Sequence, residues 1–344
     1  MNRLICLVSV LLGLTTIQAR QRQNFDADWL FILADSVQMS EVTYNDAFWR
    51  RLDLPHDWAR EGDFYAGNPS GATGGALPGG TAWYRKHFAI NREPITNNRE
   101  PITNNRYFIE FDGVYMNSTV YVNGQKVGNR PYGYSSFEYD ITPYLKEGEN
   151  VVAVRVDNSD QPNSRWYSGC GIYRHVWLTQ THPIHVKHWG VYVHDGKVEV
   201  DYDNPTKKKV TVKNFLIDAD GKVVARSTGL ISHLSPLTSH LKKWSCDDPY
   251  IYKVRTQLIA DGKVVDEVET TTGFRDFKFD AKTGFWLNGK NFKLNGVCEH
   301  HDFGCLGAAL NEDALHRKLT KLKAMGVNSI RSSHNPPAPE LLNM

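Results

Sequence analysis

Cysteine is scarce in this sequence, and no two cysteines are spaced as a C-x-x-C pair. Five cysteines occur in 344 residues, and Cys6 lies in an apolar N-terminal run. A chain of this length does not need a disulfide scaffold, and the missing C-x-x-C pair excludes the common zinc and dithiol motifs. We therefore expect free thiols at Cys170, Cys246, Cys298 and Cys305, with a Cys298–Cys305 bridge as the alternative.

The sequence also has no excess of charge of one sign and no apolar run that is long enough to cross a membrane. The formal net charge is +2, so a nucleic-acid partner is not expected. Arg3, the apolar run Leu4–Leu14 and small residues up to Ala19 predict a signal peptide over residues 1–19 and a secreted or periplasmic protein. Because a bilayer span needs about 20 apolar residues, no membrane anchor is expected.

Helical patterns are absent before residue 311, whereas strand and turn signals recur. Apolar segments such as 119–122 and 151–156 are separated by Asn-Gly and Asp-Gly pairs, which accept the positive φ angles of hairpin turns. The pairs lie at residues 112–113, 123–124, 195–196, 220–221, 261–262 and 288–289. The pattern predicts a mainly β chain with two β-sandwiches, over about residues 20–183 and 184–273.

A perfect tandem repeat interrupts the first predicted sandwich. The seven residues Arg92–Asn98 are followed by an identical copy over Arg99–Asn105. Each copy contains proline, asparagine and charged residues, so a helix is excluded and a solvent loop between strands 82–90 and 106–112 is expected. We predict no function for this repeat.

The last fifty residues change to a strand–helix–strand pattern. The segment Phe292–Val297 predicts a strand, Asn311–Met325 predicts a helix with one apolar stripe, and Val327–Ile330 predicts a second strand. Asn311 is placed as the helix N-cap, and Gly326 as the residue that ends the helix.

Polar clusters follow both of these predicted strands. Cys298-Glu299-His300-His301-Asp302 follows the first, and Arg331-Ser332-Ser333-His334 follows the second. A (β/α) barrel places its active site at the carboxyl ends of its strands in this way, although any α/β unit with polar loops shares the pattern.

Motifs along the chain resemble those of glycoside hydrolase family 2, the group of β-galactosidases, β-glucuronidases and β-mannosidases. The resemblance is collinear from residue 54 to the last residues. Its motifs are Leu54-Pro55-His56-Asp57-Trp58, Ala82-Trp83-Tyr84-Arg85, residues 166–178 with Gly171-Ile172-Tyr173-Arg174, Asp248-Pro249-Tyr250, Gly273-Phe274-Arg275, Gly296–Asp302 and Asn328–Pro337.

The resemblance implies a jelly-roll sugar-binding domain over 20–183, an immunoglobulin-like β-sandwich over 184–273 and the first elements of an incomplete (β/α)8 barrel over 274–344. It also implies a retaining hydrolase of terminal β-glycosides, most like a β-galactosidase, with a β-linked sugar as substrate. A β-glucuronidase or β-mannosidase relative is the alternative, since these groups share most of the motifs.

Five residues are implied as substrate-binding or supporting groups. His300 and His334 match histidines that reach the sugar, because neutral imidazole both donates to and accepts from hydroxyls. Arg331 matches an arginine that supports the nucleophile carboxylate, and Asp302 either orients a neighbour or touches sugar. Arg165 stands where several relatives have a substrate-contacting aspartate, which puts a galactoside preference in doubt. Structural histidines and an ion-paired arginine are the alternatives.

Neither catalytic glutamate of a retaining glycosidase is found. The resemblance implies that the first of these glutamates stands in an Asn-Glu pair at the end of a barrel strand. The Asn-Glu pair of this chain, Asn311-Glu312, begins a helix and does not follow a strand. A barrel needs about 250 residues, so both carboxylates are expected beyond Met344 and the chain alone is expected to be inactive. A secreted carbohydrate-binding protein without catalysis, or complementation by a second chain, are the alternatives.

No metal site is predicted, because His300 and His301 are adjacent on an extended segment and point to opposite sides. The resemblance leaves open a divalent or monovalent cation and a homo-oligomer in the full-length enzyme.

Overall fold

The computed structural model describes residues 20–90, 105–235 and 241–344. The predicted signal peptide and nearly all of the tandem repeat lie outside the described residues. None of the helices in the described ranges is both long and apolar enough to cross a lipid bilayer.

The first sandwich packs a six-stranded sheet against a four-stranded sheet, and every strand pair in both sheets is antiparallel. The strand orders are β3-β2-β4-β9-β6-β7 and β1-β10-β5-β8. The strands are β1 (Arg20–Asn24), β2 (Trp29–Ile32), β3 (Arg50–Leu52), β4 (Gly80–Ile90), β5 (Arg106–Phe111), β6 (Ser118–Val122), β7 (Gln125–Arg130), β8 (Phe137–Asp140), β9 (Gly148–Asn158) and β10 (Val176–Thr181).

Aromatic and branched side chains fill the space between these two sheets. Trp29, Tyr84, Phe111, Val154 and Ile172 are completely buried there. Tyr84, Phe111 and Val154 lie in β4, β5 and β9, where runs of consecutive residues are buried, so both faces of these strands are covered. Burial of each such side chain contributes about 1.5–3 kcal/mol relative to leaving it exposed, so this core is a major source of the domain's stability.

The second sandwich is smaller and has seven strands. Sheet β11-β12-β15 packs against sheet β14-β13-β16-β17, with Val198, Leu216, Val254 and Leu258 completely buried between them. The strands are β11 (His185–His194), β12 (Lys197–Asp203), β13 (Val210–Ile217), β14 (Val223–Thr228), β15 (Ile231–His233), β16 (Tyr252–Ala260) and β17 (Lys263–Thr272).

A buried ion pair joins the two sandwiches. Arg20 in β1 donates to both carboxylate oxygens of Asp266 in β17, each at 3.0 Å, and the Asp266 side chain is completely buried. Asp266 also accepts from the Val186 amide at 2.7 Å. Bidentate arginine–carboxylate pairs fix orientation as well as distance, so the sandwiches are held in one arrangement.

The remaining elements are a small hairpin sheet and one parallel βαβ unit. The hairpin sheet consists of β18 (Phe277–Asp280), β19 (Gly284–Leu287) and β20 (Lys290–Asn291). The βαβ unit consists of β21 (Gly296–Glu299), α1 (Glu312–Ala324) and β22 (Ser329–Ser332), and α2 (Pro339–Asn343) follows it.

The helix prediction is confirmed. Both strands begin and end nearer the C terminus than predicted. Asn311 caps α1 by accepting from the Ala314 amide at 2.8 Å, and Gly326 has a φ of 85° after the helix ends. The first strand is β21, Gly296–Glu299, and the Phe292 amide instead donates to the Phe285 carbonyl of the hairpin sheet. The second strand is Ser329–Ser332.

Five of the six predicted turn pairs lie in hairpins. Both residues have positive φ at 123–124, 195–196, 261–262 and 288–289, and Gly221 alone does at the fifth. The prediction at Asp112–Gly113 is wrong, because the Asp112 amide bonds to the His175 carbonyl and the chain continues across the sandwich. The four cysteines of the described residues are free, so the Cys298–Cys305 bridge is not formed.

Candidate functional site

The parallel strands β21 and β22 bring His300 and His334 together. Val297 pairs with Ile330 and Glu299 with Ser332, so both chains leave the sheet at the same end. The two imidazole rings then meet edge to face, with centroids 5.5 Å apart. Residues 34 positions apart in sequence therefore form one polar surface at the carboxyl edge of the sheet, as predicted from the strand ends.

Arg331 lies beside this histidine pair. Its Nη1 donates to His334 Nδ1 at 2.8 Å and to Ser333 Oγ at 3.2 Å. Because an arginine only donates, His334 Nδ1 is the acceptor and Nε2 carries the proton of the neutral ring. Ser333 and Arg331 also lower the pKa of the Cys298 thiol by hydrogen bonding to it.

Lys318 of α1 fixes the loop that carries His300. Its ammonium group donates to the Glu299 carboxylate and, at 2.8 Å, to the Asp302 carbonyl oxygen. It also lies 4.6 Å from the centre of the Phe303 ring. Asp302 thus contributes its main chain to the loop, while its side chain has no hydrogen bond or ion pair within the described residues.

His301 points away from His300 and into the first sandwich. Its Nε2 donates to the Ser168 carbonyl at 3.1 Å, and its ring packs edge to face on Tyr134 with centroids 5.2 Å apart. Burial lowers the pKa of His301 to about 4. The two adjacent histidines thus point to opposite sides, as predicted.

His301 is expected to make stability pH-dependent. The folded pKa of about 4 lies below the ordinary value of about 6.5, so the unfolded chain binds more protons between these values. The free energy of unfolding should therefore fall as pH decreases from about 6.5 to 4, by up to about 3 kcal/mol from this group. Urea denaturation of the protein and of His301→Gln over this range measures the effect. A difference between the two proteins that does not change with pH would contradict it.

The first sandwich supplies an aromatic wall to the site. The Trp166 ring packs on His334 with centroids 5.0 Å apart, and its Nε1 donates to the Tyr134 hydroxyl at 3.0 Å. The Tyr132 hydroxyl donates to Asn335 Oδ1 at 3.2 Å. Sequence reasoning missed Tyr132, Tyr134 and Asn335, and the one available signal was the Tyr-Gly-Tyr spacing in a loop.

The neighbours Tyr167 and Arg165 have different environments. Tyr167 donates to the buried Asp57 carboxylate and belongs to the core. Arg165 is exposed next to Trp166, and its side chain has no hydrogen bond or ion pair in the described part of the chain. The structure thus brings His300, His334, Arg331 and Trp166 together, whereas Arg165 is exposed and makes no polar contact with them within the described ranges.

Two buried residues attach the βαβ unit to the first sandwich. Asp57 accepts from the amides of Cys170 and Ala308, each at 2.8 Å. Arg174 donates to the carbonyls of Tyr134 and Pro336, each at 3.0 Å. Between these attachments lies a recess of about 520 Å³, open to solvent, with His300, Ser333, Tyr134 and Glu299 in its lining.

Two β-sandwiches followed by the start of a parallel βαβ unit are the architecture of a class of glycoside hydrolases, and comparison with known families identifies that class. The family model for the sugar binding domain of glycosyl hydrolases family 2 matches residues 76–183, and a second model of the family matches residues 180–275. The family's TIM barrel domain model matches residues 280–344. The chain belongs to glycosyl hydrolases family 2, as the sequence resemblance implied.

Individual relatives agree with this assignment. The chain is 49% identical over 95% of its length to beta-galactosidase BoGH2A of Bacteroides ovatus, of which it covers 40%. It is 41% identical over 97% of its length to a putative beta-glucuronidase of Formosa agariphila, of which it covers 33%. A crystal structure of a beta-glycosidase from Bacteroides vulgatus superposes on 94% of this chain with a TM-score of 0.84 and 39% identity, and the chain covers 43% of it.

Proposed function

We propose that the whole protein hydrolyses terminal β-glycosides with retention of configuration, and that the substrate is a β-galactoside. The observation that carries the proposal is the contact of His300, His334 and Trp166 at the carboxyl edge of the β21–β22 sheet. A ring face beside two imidazoles suits a sugar, which has an apolar face and a rim of hydroxyls. The 49% identity to a beta-galactosidase supports the choice of sugar.

Each residue of the site has a distinct role in this proposal. His334 presents Nε2–H to a sugar hydroxyl, because Arg331 occupies Nδ1. Arg331 is exposed and cationic, so it is suited to orient a catalytic carboxylate supplied by the rest of the protein. Lys318 keeps the His300 loop in place through its bonds to residues 299 and 302.

We further propose that the two catalytic carboxylates come from outside these 344 residues. Retaining enzymes need two carboxyl groups about 5–5.5 Å apart. Glu299 is the one carboxylate among the described residues that line the recess, and it accepts a hydrogen bond from Lys318. Glu312 begins α1, as expected, and therefore does not meet the requirement for a glutamate at a strand end.

The direct test assays the whole protein on chromogenic β-galactoside, β-glucuronide and β-mannoside, with the product anomer followed by NMR. Highest kcat/KM on the galactoside with initial release of the β-anomer is the expected result. Residues 1–344 alone should not turn over any of the three. Initial release of the α-anomer would contradict retention, and saturable binding without turnover by the whole protein would favour a carbohydrate-binding protein instead.

His334→Ala in the whole protein is expected to lower kcat/KM by at least about tenfold, because it removes a charge-polarised donor and the ring against Trp166. The matched control is His316→Ala, which removes an exposed histidine from α1. Steady-state kinetics of both variants on the preferred substrate provide the measurement. Equal loss in the two variants would place His334 outside the substrate site.

A β-glucuronidase is the second candidate, and the exposed Arg165 beside Trp166 favours it. A guanidinium group binds a carboxylate in bidentate fashion, whereas a galactoside offers hydroxyls alone. Arg165→Ala distinguishes the two candidates: a selective loss of glucuronide turnover supports this one, and unchanged ratios of kcat/KM among substrates remove its basis.

A further inference from the structure

Two glutamates lie opposite each other at the interface between the two sandwiches. A histidine of the second sandwich faces both of them. Glu110 of β5 and Glu138 of β8 are a directly opposed cross-strand pair. His188 of β11 comes from the neighbouring domain, and one ligand-type atom from each of the three residues lies within 4.8 Å of the others. Like charges in opposed positions destabilise a sheet, so this pair calls for a compensating group.

The separations among these atoms fit a shared cation better than direct hydrogen bonds. His188 Nδ1 lies 3.6 Å from Glu110 Oε1 and 4.0 Å from Glu138 Oε2. Both distances exceed a hydrogen bond. Ligand atoms at about 2.1 Å from one metal ion are separated by about 3.4 Å at the tetrahedral angle and by about 4.2 Å when they are opposite.

The charged groups nearby leave one of the two carboxylates without a hydrogen-bond donor. Arg22 donates twice to Glu110 Oε2, at 3.1 Å, so Glu110 Oε1 is the oxygen that faces His188. Arg20 donates to both carboxylate oxygens of Asp266 and makes no hydrogen bond to either glutamate within the described residues. Glu138 accepts no hydrogen bond within the described residues, although its side chain is only 17% exposed. A buried carboxylate without a donor is costly unless a cation or a proton neutralises it.

A second set of contacts orients the histidine. His188 Nε2 lies 3.4 Å from Ser136 Oγ, which also accepts from Trp189 Nε1 at 2.9 Å. A ring that donates Nε2–H to this hydroxyl presents the Nδ1 lone pair to the carboxylates. Metal-binding histidines in proteins are held in this way by an acceptor on the other ring nitrogen.

We propose that Glu110, Glu138 and His188 bind one divalent transition-metal ion, of the zinc type, which joins the sugar-binding domain to the immunoglobulin-like domain. One imidazole nitrogen and two carboxylate oxygens form a ligand set that zinc accepts, with solvent in the remaining position. Because its ligands belong to two domains, the ion stabilises their arrangement.

The test titrates ZnCl₂ into chelator-treated protein by calorimetry, with metal content after dialysis measured by mass spectrometry. One zinc per chain and a rise in thermal midpoint are expected. Glu138→Gln and His188→Gln should each weaken zinc binding by at least about tenfold and abolish the rise, since loss of mere outer-shell partners already costs 10–100-fold. The matched control is His233→Gln, which removes an exposed histidine from β15 of the same sheet and should bind zinc as the parent does.

The titration also distinguishes the occupants. Absence of stoichiometric zinc, or equal zinc affinity in all three variants, would overturn the site in favour of a proton or water between the carboxylates. Equal affinity for MgCl₂ and ZnCl₂ would overturn the role of His188, because imidazole favours zinc over magnesium. Circular dichroism verifies folding of each variant, and His188→Gln serves as the test if Glu138→Gln does not fold.

Discussion

Replacing Asp57 with alanine is expected to lower the free energy of unfolding by about 4 kcal/mol. The Asp57 side chain accepts from the amides of Ala59, Cys170 and Ala308 and from the Tyr167 hydroxyl. The alanine side chain has no hydrogen-bond acceptor, and each buried donor that loses its acceptor costs about 1–3 kcal/mol. Burial also raises the pKa of Asp57, so the bonds act against a desolvation cost already present in the folded protein.

Urea denaturation of Asp57→Ala measures this loss. Asp63→Ala is the matched control, because Asp63 is exposed near the same loop, and it should stay within about 0.5 kcal/mol of the parent. Because Ala308 precedes α1, loss of Asp57 should also free the βαβ unit from the sandwich. Similar stability of the two variants would show that the donors find other partners, and would remove Asp57 as the main attachment.

Arg174→Met is expected to destabilise the protein by at least about 4 kcal/mol and to loosen the loop after β22. The Arg174 side chain is buried, and it donates to the carbonyls of Asp112, Tyr134 and Pro336. Methionine has a similar length but leaves these carbonyls without a donor, and hydrogen bonds to charged groups contribute about 1.5–3 kcal/mol each. Pro336 lies two residues after His334, so the loop that carries His334 in the proposed substrate site should lose order as well.

Hydrogen exchange separates this local effect from general destabilisation. Faster exchange in residues 333–335 than in the β4–β9 core, under conditions where both proteins stay folded, is expected for Arg174→Met. Arg317→Met, on the exposed face of α1, is the control and should leave both regions unchanged. A uniform increase across the sandwich would mean that Arg174 stabilises the domain and does not specifically order the loop.

The sequence predicted those features that depend on neighbouring residues. The N-cap of Asn311 and the positive φ of Gly326 follow from local backbone chemistry, and both were confirmed. The prediction at Asp112–Gly113 failed because a bond to His175, far along the chain, overrides the turn preference. The start of β21 was misplaced because Phe292 belongs to the hairpin sheet, a pairing that no apolar run specifies.

The sequence by itself thus determined the family, the order of domains and the two polar strand ends that carry His300 and His334. The tertiary structure alone decided which distant groups complete the site. Asp57 meets Ala308 across 251 positions, and Trp166 packs on His334 from another domain. Local patterns fix the backbone of each element, whereas such contacts arise from the packing of sheets, whose register and orientation depend on the whole core.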